Sequence, residues 1–459
     1  MRLLKRIQKF LVPEKIEIDR AEELEEMGRI LETSPGIEEV LSKVLLDVTS
    51  GKKTSGTGAE GLSALQIVKL GVLRNRHGLT YRALSHATAD SISMRRFLEL
   101  PFGKVLSKSA IQSNLKQVKY STWELLNRCL LNYAEKEKIE DGSAIRGDTT
   151  TTKTNIHYPT DASLLNDTVR VLTRAMARGY DALGSVVKYT DHSRRAKKKL
   201  YRINNTHKEE KRHPHYLELI RVTRHTVHYA EQVLKILENH RTTDWDREMC
   251  VLLCQKELKT YIPLGKQVID QAYRRIVNKE SVPVGEKIVS IFEPHSDIIV
   301  KGFRDVAFGH KVSIVTGNSS LVLQLSVLDG NPKDSTLVND IFETHREQYG
   351  EFPDNAAFDG CFASHDNRDI AKKGGVSNIT FSKNLNMTLE SLLDNPKIHR
   401  TLLNFRAGIE GCISFLKRVF GFDRVLDKTK DTFKAALHCG VLAYNLTLLS
   451  RINLRAQKT

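Results

Sequence analysis

The sequence predicts an α/β protein: a mixed sheet flanked by helices, with an all-helical region before it and a helical insertion after its first strand. Three observations carry that prediction. The hydrophobic period changes from helical to strand-like near residue 142, returns to helical from about 163 to 280, and then gives way to alternating strands and helices up to about residue 420. A chain of 459 residues, 40% hydrophobic and 27% charged, can bury a large core without disulfides and is too apolar for wholesale disorder. The boundaries follow: an acidic helical segment and linker at 1–58, a helical, helix-turn-helix-like region at 59–140, the first strand at 141–162, a basic helical insertion at 163–285, the rest of the α/β domain at 286–425, and a final helix at 426–459.

In chain order, Ile30, Leu31, Ile37, Val40, Leu41, Val44 and Leu45 recur at helical spacing within the acidic segment. The stretch 50–58, rich in Gly, Ser and Thr, has the composition of a flexible connector. From Leu62 to about Lys138 short helices alternate with turns. Gly78 ends one helix, Thr80 caps the next, Pro101 to Gly103 break the chain, and Ser107 or Ser109 caps a helix holding Ile111, Leu115 and Val118. The outer face of that helix would show Lys108, Gln112, Asn114 and Lys116. These side chains suit phosphates and base edges, as in a helix-turn-helix reader, and equally the wet side of a small bundle.

The β-branched, threonine-rich run from Ser143 to Thr152 reads as a strand. The insertion then shows Leu217, Ile220, Val227, Ala230, Val233, Leu234 and Leu237 at helical spacing. Strands resume at 287–292, 311–316 and 321–328, the last two joined as a hairpin through Gly317-Asn318-Ser319-Ser320. Asp334 and Ser335 cap a helix running to about His345. Ala356-Ala357-Phe358 leads as a strand into Asp359, a helix starts near Phe362, a strand covers 376–382, and a helix covers about 396–419. Antiparallel strands come first and parallel ones are added, giving a mixed sheet.

Charge speaks to partners rather than fold. Lys and Arg number 71 against 55 Asp and Glu, a net charge of +16, which favours a polyanion. The excess is uneven, because Glu14 to Asp47 holds eleven acids against four bases. The densest basic run, Ser193 to Arg212, sets nine bases, among them Arg194, Arg195, Lys197, Lys198, Lys199 and Arg202, against only Glu209 and Glu210. Such a run is either a solvated face or a clamp on a nucleic-acid backbone. No apolar stretch approaches the roughly 20 residues of a membrane span, and the basic first residues lack the apolar core of a leader, so a cytoplasmic protein is expected. The six scattered cysteines are expected as reduced thiols.

Three acids stand out as candidates for chemistry. Asp148 lies inside the first strand, where a carboxylate is costly unless it is paired, hydrogen-bonded or metal-bound. Asp359 follows a strand and precedes Gly360, at the carboxyl end where α/β sheets place ligands, although Asp-Gly is also a common turn pair. Glu410 shares a helix face with Arg406 and Lys417, opposite the apolar Leu402, Leu403, Phe405, Ile409, Ile413 and Leu416. Asp161 and Asp297 are rival acids, Asp161 suiting a helix cap better than an ion site. Three convergent carboxylates suffice for divalent ions that keep waters as their remaining ligands.

With those residues in place, the chain resembles the DDE transposases of bacterial insertion sequences, whose catalytic domain is ribonuclease H-like. Arg146-Gly147-Asp148-Thr149-Thr150 and the following Asn155-Ile156-His157-Tyr158-Pro159-Thr160-Asp161 match the family's first-acid region. Phe358-Asp359-Gly360-Cys361-Phe362 matches the second-acid turn, and Arg406, Glu410 and Lys417 fit the spacing of the third-acid helix, with Leu403 where tyrosine is usual. Gly78-Leu79-Thr80-Tyr81-Arg82-Ala83-Leu84 and Phe97-Leu98-Glu99-Leu100 resemble the family's N-terminal helical domain.

The resemblance covers most of residues 60 to 420. It implies Asp148, Asp359 and Glu410 as catalytic residues and ligands of two Mg²⁺ or Mn²⁺ ions, with Arg406 and Lys417 contacting DNA. It further implies binding of double-stranded terminal inverted repeats and target DNA, a homodimer or higher oligomer on that DNA, and a nucleoid-associated bacterial protein. A catalytically inactive, transposase-derived DNA-binding protein and a metal-dependent nuclease of the same fold are the alternatives.

Overall fold

The computed structural model describes residues 19–50, 61–101, 103–240, 243–301, 305–383 and 385–458. Two compact units divide the chain: Met1–Thr154 with Gly309–Thr459, and the contiguous Asn155–Phe308. The second unit therefore starts earlier and ends later than the 163–285 insertion read from periodicity. Among the described residues no helix is long and apolar enough to cross a membrane.

The first unit begins with α1 (Asp19–Thr33) and α2 (Ile37–Thr49), separated at Ser34-Pro35-Gly36, where Gly36 takes φ 76°. The linker expected at 50–58 lies, apart from Ser50, outside the described residues. Next come α3 (Ala64–Arg76), α4 (Tyr81–Asp90), α5 (Ile92–Phe97), α6 (Lys108–Leu115) and α7 (Tyr120–Lys136). Thr80, Ser91 and Ser107 cap α4, α5 and α6, each accepting a backbone N–H from the first turn. The strand β1 (Ala144–Lys153) follows.

The second unit contains α8 (Asp161–Leu183), α9 (Ser193–Asn204), α10 (Glu209–Asn239) and α11 (Trp245–Ile276), closed around their own apolar core. Thr160 rather than Asp161 caps α8, and Asp161 is buried against Arg275 and Gln271. The strand expected at 287–292 does not form. Ile288 and Ile291 enter the helical core instead, and the Ile288 N–H donates to the Gln271 side chain rather than to a neighbouring strand. The strand at this point is β2 (Asp297–Lys301).

The chain continues through β3 (Asp305–Thr316), β4 (Val322–Val327), α12 (Val338–Tyr349), β5 (Asn355–Phe358), α13 (His365–Lys373), β6 (Asn378–Phe381), α14 (Leu389–Leu392), α15 (His399–Val419) and α16 (Lys430–Ala456). The sheet is mixed, with the order β2-β3-β1-β5-β6 and β4 also on β3. β3 pairs antiparallel with β1 and β4, whereas β5 runs parallel to both β1 and β6. The hairpin turn 317–320 joins β3 to β4, with the Gly317 N–H donating to Leu321 O.

One apolar core runs through the helices α1 to α7, the sheet and α16, so the region read as a separate helical domain at 59–140 shares its interior with the sheet. Trp123, Leu126 and Leu130 of α7 are buried in this core, as are Leu442 and Leu446 of α16. The buried Asn445 holds both backbone groups of Val322, accepting its N–H and donating to its carbonyl at 2.8 Å each. That ties β4 to α16, and the Asn127 amide of α7 adds a second donor to the Val322 carbonyl at 3.3 Å. Several acids of α1 and α2 are spent internally: Glu23 pairs with Arg76 and Arg451, and Asp47 accepts from the Thr122 hydroxyl and the Lys119 N–H.

Candidate active site and nucleic-acid interface

Strand register brings the first two acids together. Gly147 of β1 lies beside Phe358 of β5, so the next residues along, Asp148 and Asp359, emerge side by side where β5 ends. Glycine is required at 147 because a Cβ there would run into the Phe358 ring. Alternation along β1 puts Arg146 and Asp148 on one face. Arg146 is 6% exposed, and it donates to Phe405 O at 2.7 Å, Thr316 Oγ1 at 2.9 Å and Ser320 Oγ at 2.7 Å. Its guanidinium also lies over the Phe405 ring. These contacts fasten α15 across β1. Gly408 permits the approach, since a Cβ at that position would collide with the Arg146 guanidinium.

The next residue after Phe405 is Arg406, and its guanidinium meets all three candidate acids. Nη2 lies 3.5 Å from Asp148 Oδ2 and 3.2 Å from Asp359 Oδ1, and Nη1 lies 3.1 Å from Glu410 Oε1. The Arg406 side chain is 16% exposed while that of Glu410 is 66% exposed, so the cluster is a shallow, solvent-facing site with its cation at the bottom. Arg406 Nε is buried without an acceptor. Partial burial pushes the Asp359 carboxyl up, but the Ser382 hydroxyl, the Gly360 N–H, Arg406 and Lys383 together hold it below the usual carboxylate range. Ser382 Oγ donates to Asp359 Oδ1 at 2.7 Å.

A fourth acid adjoins the site. Asp334 accepts from the Thr149 hydroxyl at 3.1 Å and pairs with Lys311 at 2.7 Å. The Cys361 thiol is raised above its ordinary value by partial burial and by the charges of Asp359, Asp334 and Asp148, against the opposing pull of Lys311. The sequence signalled Asp334 only as a helix cap. It instead opens a 3-10 turn, Asp334–Thr336, ahead of α12. Lys311, a cation on a strand with buried neighbours, was the legible hint that an acid stood opposite.

Carboxylate oxygens are the donors that hard divalent ions take, so the chemistry of this set fits Mg²⁺ or Mn²⁺. In this structure the three acids are spaced around the guanidinium, and among the described residues no three metal-capable side chains close on one another. No family model, curated protein or solved structure matches the chain.

The basic candidates fall in separate places. Lys417 is half-buried in the last turn of α15, two turns beyond Glu410. Lys108 of α6 and Lys116, which caps its C-terminus, are exposed, and Gln112 is half-buried. Asn114 departs from expectation: it is buried, and its amide donates to Ala110 O at 2.6 Å, so it cannot face a groove. The helix carries Asn114 inward with Ile111 and Leu115. In the second unit, Arg194, Lys197, Lys198 and Arg202 of α9 are exposed with Tyr201 among them, Lys199 is half-buried, and Arg195 pairs with Glu218. Partial burial and the positive charge of Lys199 and Arg202 push His215 below the usual imidazole value. Of the rival acids, both in the second unit, Asp297 opens β2 and Asp161 is held by its Arg275 partner.

Proposed function

We propose that the chain is a DNA transposase of the DDE type, with a ribonuclease H-like catalytic domain that cleaves DNA at the terminal inverted repeats of an insertion sequence and joins the freed end to target DNA. The observation that carries this reading is the meeting of three acids, from a strand, a strand end and a helix, around one guanidinium. The order of the sheet supports it, with β1, β3 and β4 paired antiparallel and β5 and β6 then added parallel to β1. In this reading Asp148, Asp359 and Glu410 hold the divalent ions, which supply charge neutralisation at the attacking and leaving oxygens of a phosphodiester. Arg406 offers a planar fork of donors to a phosphate, and Lys417 adds a point charge further along the same helix.

Duplex DNA is the partner of this reading, and each unit carries exposed bases suited to its phosphates: those of α9 in the second, and Lys108 and Lys116 in the first. Neutralising phosphates there gives affinity that falls steeply with salt. The test supplies a pre-cut 3′-hydroxyl end and a target plasmid with Mg²⁺ or Mn²⁺. Joining supports the transposase. Nicking alone indicates a nuclease, and binding without either indicates an inactive DNA-binding protein. Asp359→Asn removes a charge at constant size and is expected to lower joining by orders of magnitude while leaving DNA binding within a few-fold. Undiminished joining by that variant removes Asp359 from the site.

A further inference from the structure

The helix α11 is apolar on two opposite faces. Val251, Cys254 and Leu258 point into the core of the second unit. Trp245, Met249, Leu252 and Leu253, at the i, i+4, i+7, i+8 spacing of one helical stripe, are turned to solvent, with Trp245 74% and Leu253 53% exposed. Isolated exposed apolar residues are ordinary, but four in one stripe on a single rigid element mark a surface built to be covered.

The charges beside the stripe specify the cover. Asp246 and Lys256 are exposed, and among the described residues neither side chain pairs with an opposite charge of its own chain. They sit symmetrically about residue 251, the midpoint of Met249 and Leu253. Two copies of this helix laid antiparallel about that midpoint place Met249 of each against Leu253 of the other. The same operation sets Asp246 of each opposite Lys256 of the other, and it brings each Trp245 within a turn of the opposing Lys256, where a cation can lie over an indole. A parallel pairing would instead set like charge against like. This match of a surface with itself is the signature of a two-fold, isologous contact.

We propose that the chain self-associates through the Trp245–Leu253 stripe of α11, as an antiparallel two-fold pair of helices. The proposal rests on the second unit alone and stands whether or not the transposase reading holds. One stripe of about four side chains is smaller than a standard permanent interface, so the association is expected to be reversible in the micromolar range.

Sedimentation velocity of the full chain across a concentration series tests this, together with tryptophan emission. The chain has two tryptophans, and Trp123 is buried, so Trp245 dominates any change on dilution. The expected result is a monomer–dimer equilibrium with a red shift of emission as the dimer dissociates. Leu253→Asp should remain monomeric at every concentration with unchanged circular dichroism, since the residue lies outside the core. Asp246→Lys should weaken the dimer roughly three- to tenfold by setting lysine against lysine twice, and the Asp246→Lys, Lys256→Asp double variant should recover it. A wild-type chain that stays monomeric, a Leu253→Asp variant that dimerises as well as wild type, or a charge-swapped double variant no tighter than Asp246→Lys alone would overturn the proposal.

Discussion

Arg146 and Arg406 lie on either side of the same contact between β1 and α15, and they are used in opposite ways. Arg146 is buried and satisfied by neutral acceptors, a backbone carbonyl and two hydroxyls, with an aromatic ring beneath it. Arg406 faces only carboxylates, at longer distances, and keeps one nitrogen without an acceptor. Neutral acceptors at short range fix a guanidinium into a scaffold. Carboxylates at 3.1 to 3.5 Å hold it as a counter-ion whose place another cation, such as a divalent metal, can take. The first arginine positions the site, and the second balances its charge.

That contrast can be broken most severely at Arg146. Arg146→Ala leaves Phe405 O and two hydroxyls without their donor in a buried place, and a loss of about 3 kcal/mol in unfolding free energy is expected, read by denaturant titration. Gly408→Ala tests the same scaffold more gently. Alanine favours the helix by about 1 kcal/mol, yet its Cβ must displace the Arg146 guanidinium, so a net loss of roughly 1–2 kcal/mol is expected. A gain in stability at that position would show that α15 has slack over β1.

Arg406→Gln sharpens the comparison from the other side. Its effect on unfolding is expected to stay within about 1 kcal/mol, because the ion pairs it removes lie in a shallow site open to solvent, where such pairs contribute little. Three carboxylates then lose the guanidinium they share, so Ca²⁺ or Mn²⁺ should raise the melting temperature of this variant more than that of wild type. An equal response in both proteins would mean that Arg406 does not compete with cations. The smallest effect concerns pH. The Asp359 carboxyl is held below its ordinary value in the fold, so its contribution is fully present above the ordinary carboxylate pKa and disappears as pH falls through the lowered one. The stability difference between wild type and Asp359→Asn should therefore be constant at neutral pH and shrink below about pH 4.

Periodicity made the long elements legible: β1, the β3–β4 hairpin and the helix bearing Arg406 and Glu410 all follow from spacing that local sterics enforce. The positions of Asp148, Asp359 and Glu410 along those elements were legible too. Their meeting around Arg406 was not, because it depends on the pairing of Gly147 with Phe358 and on the close passage of Gly408 over Arg146, both long-range. The stretch 287–292 misled because apolar residues at strand-like spacing pack equally well against helices, and here the helical core of the second unit claimed Ile288 and Ile291. Asn114 misleads because a polar residue on a short helix is expected to face outward, whereas its amide bonds back to the preceding turn. Asp334 escaped notice because an aspartate before a helix usually caps it, and only the fold shows Lys311 and Thr149 converging on it.

The second unit is one unbroken stretch of sequence, while the first is split around it. During synthesis β1 leaves the ribosome long before β3 and β5, the partners on its two sides, exist. The intervening helical bundle has all its own core residues by then and can compact at once. Asp148 must wait for most of the chain to be translated before its companions arrive, so a polypeptide released early would carry a folded basic bundle and no assembled acidic cluster.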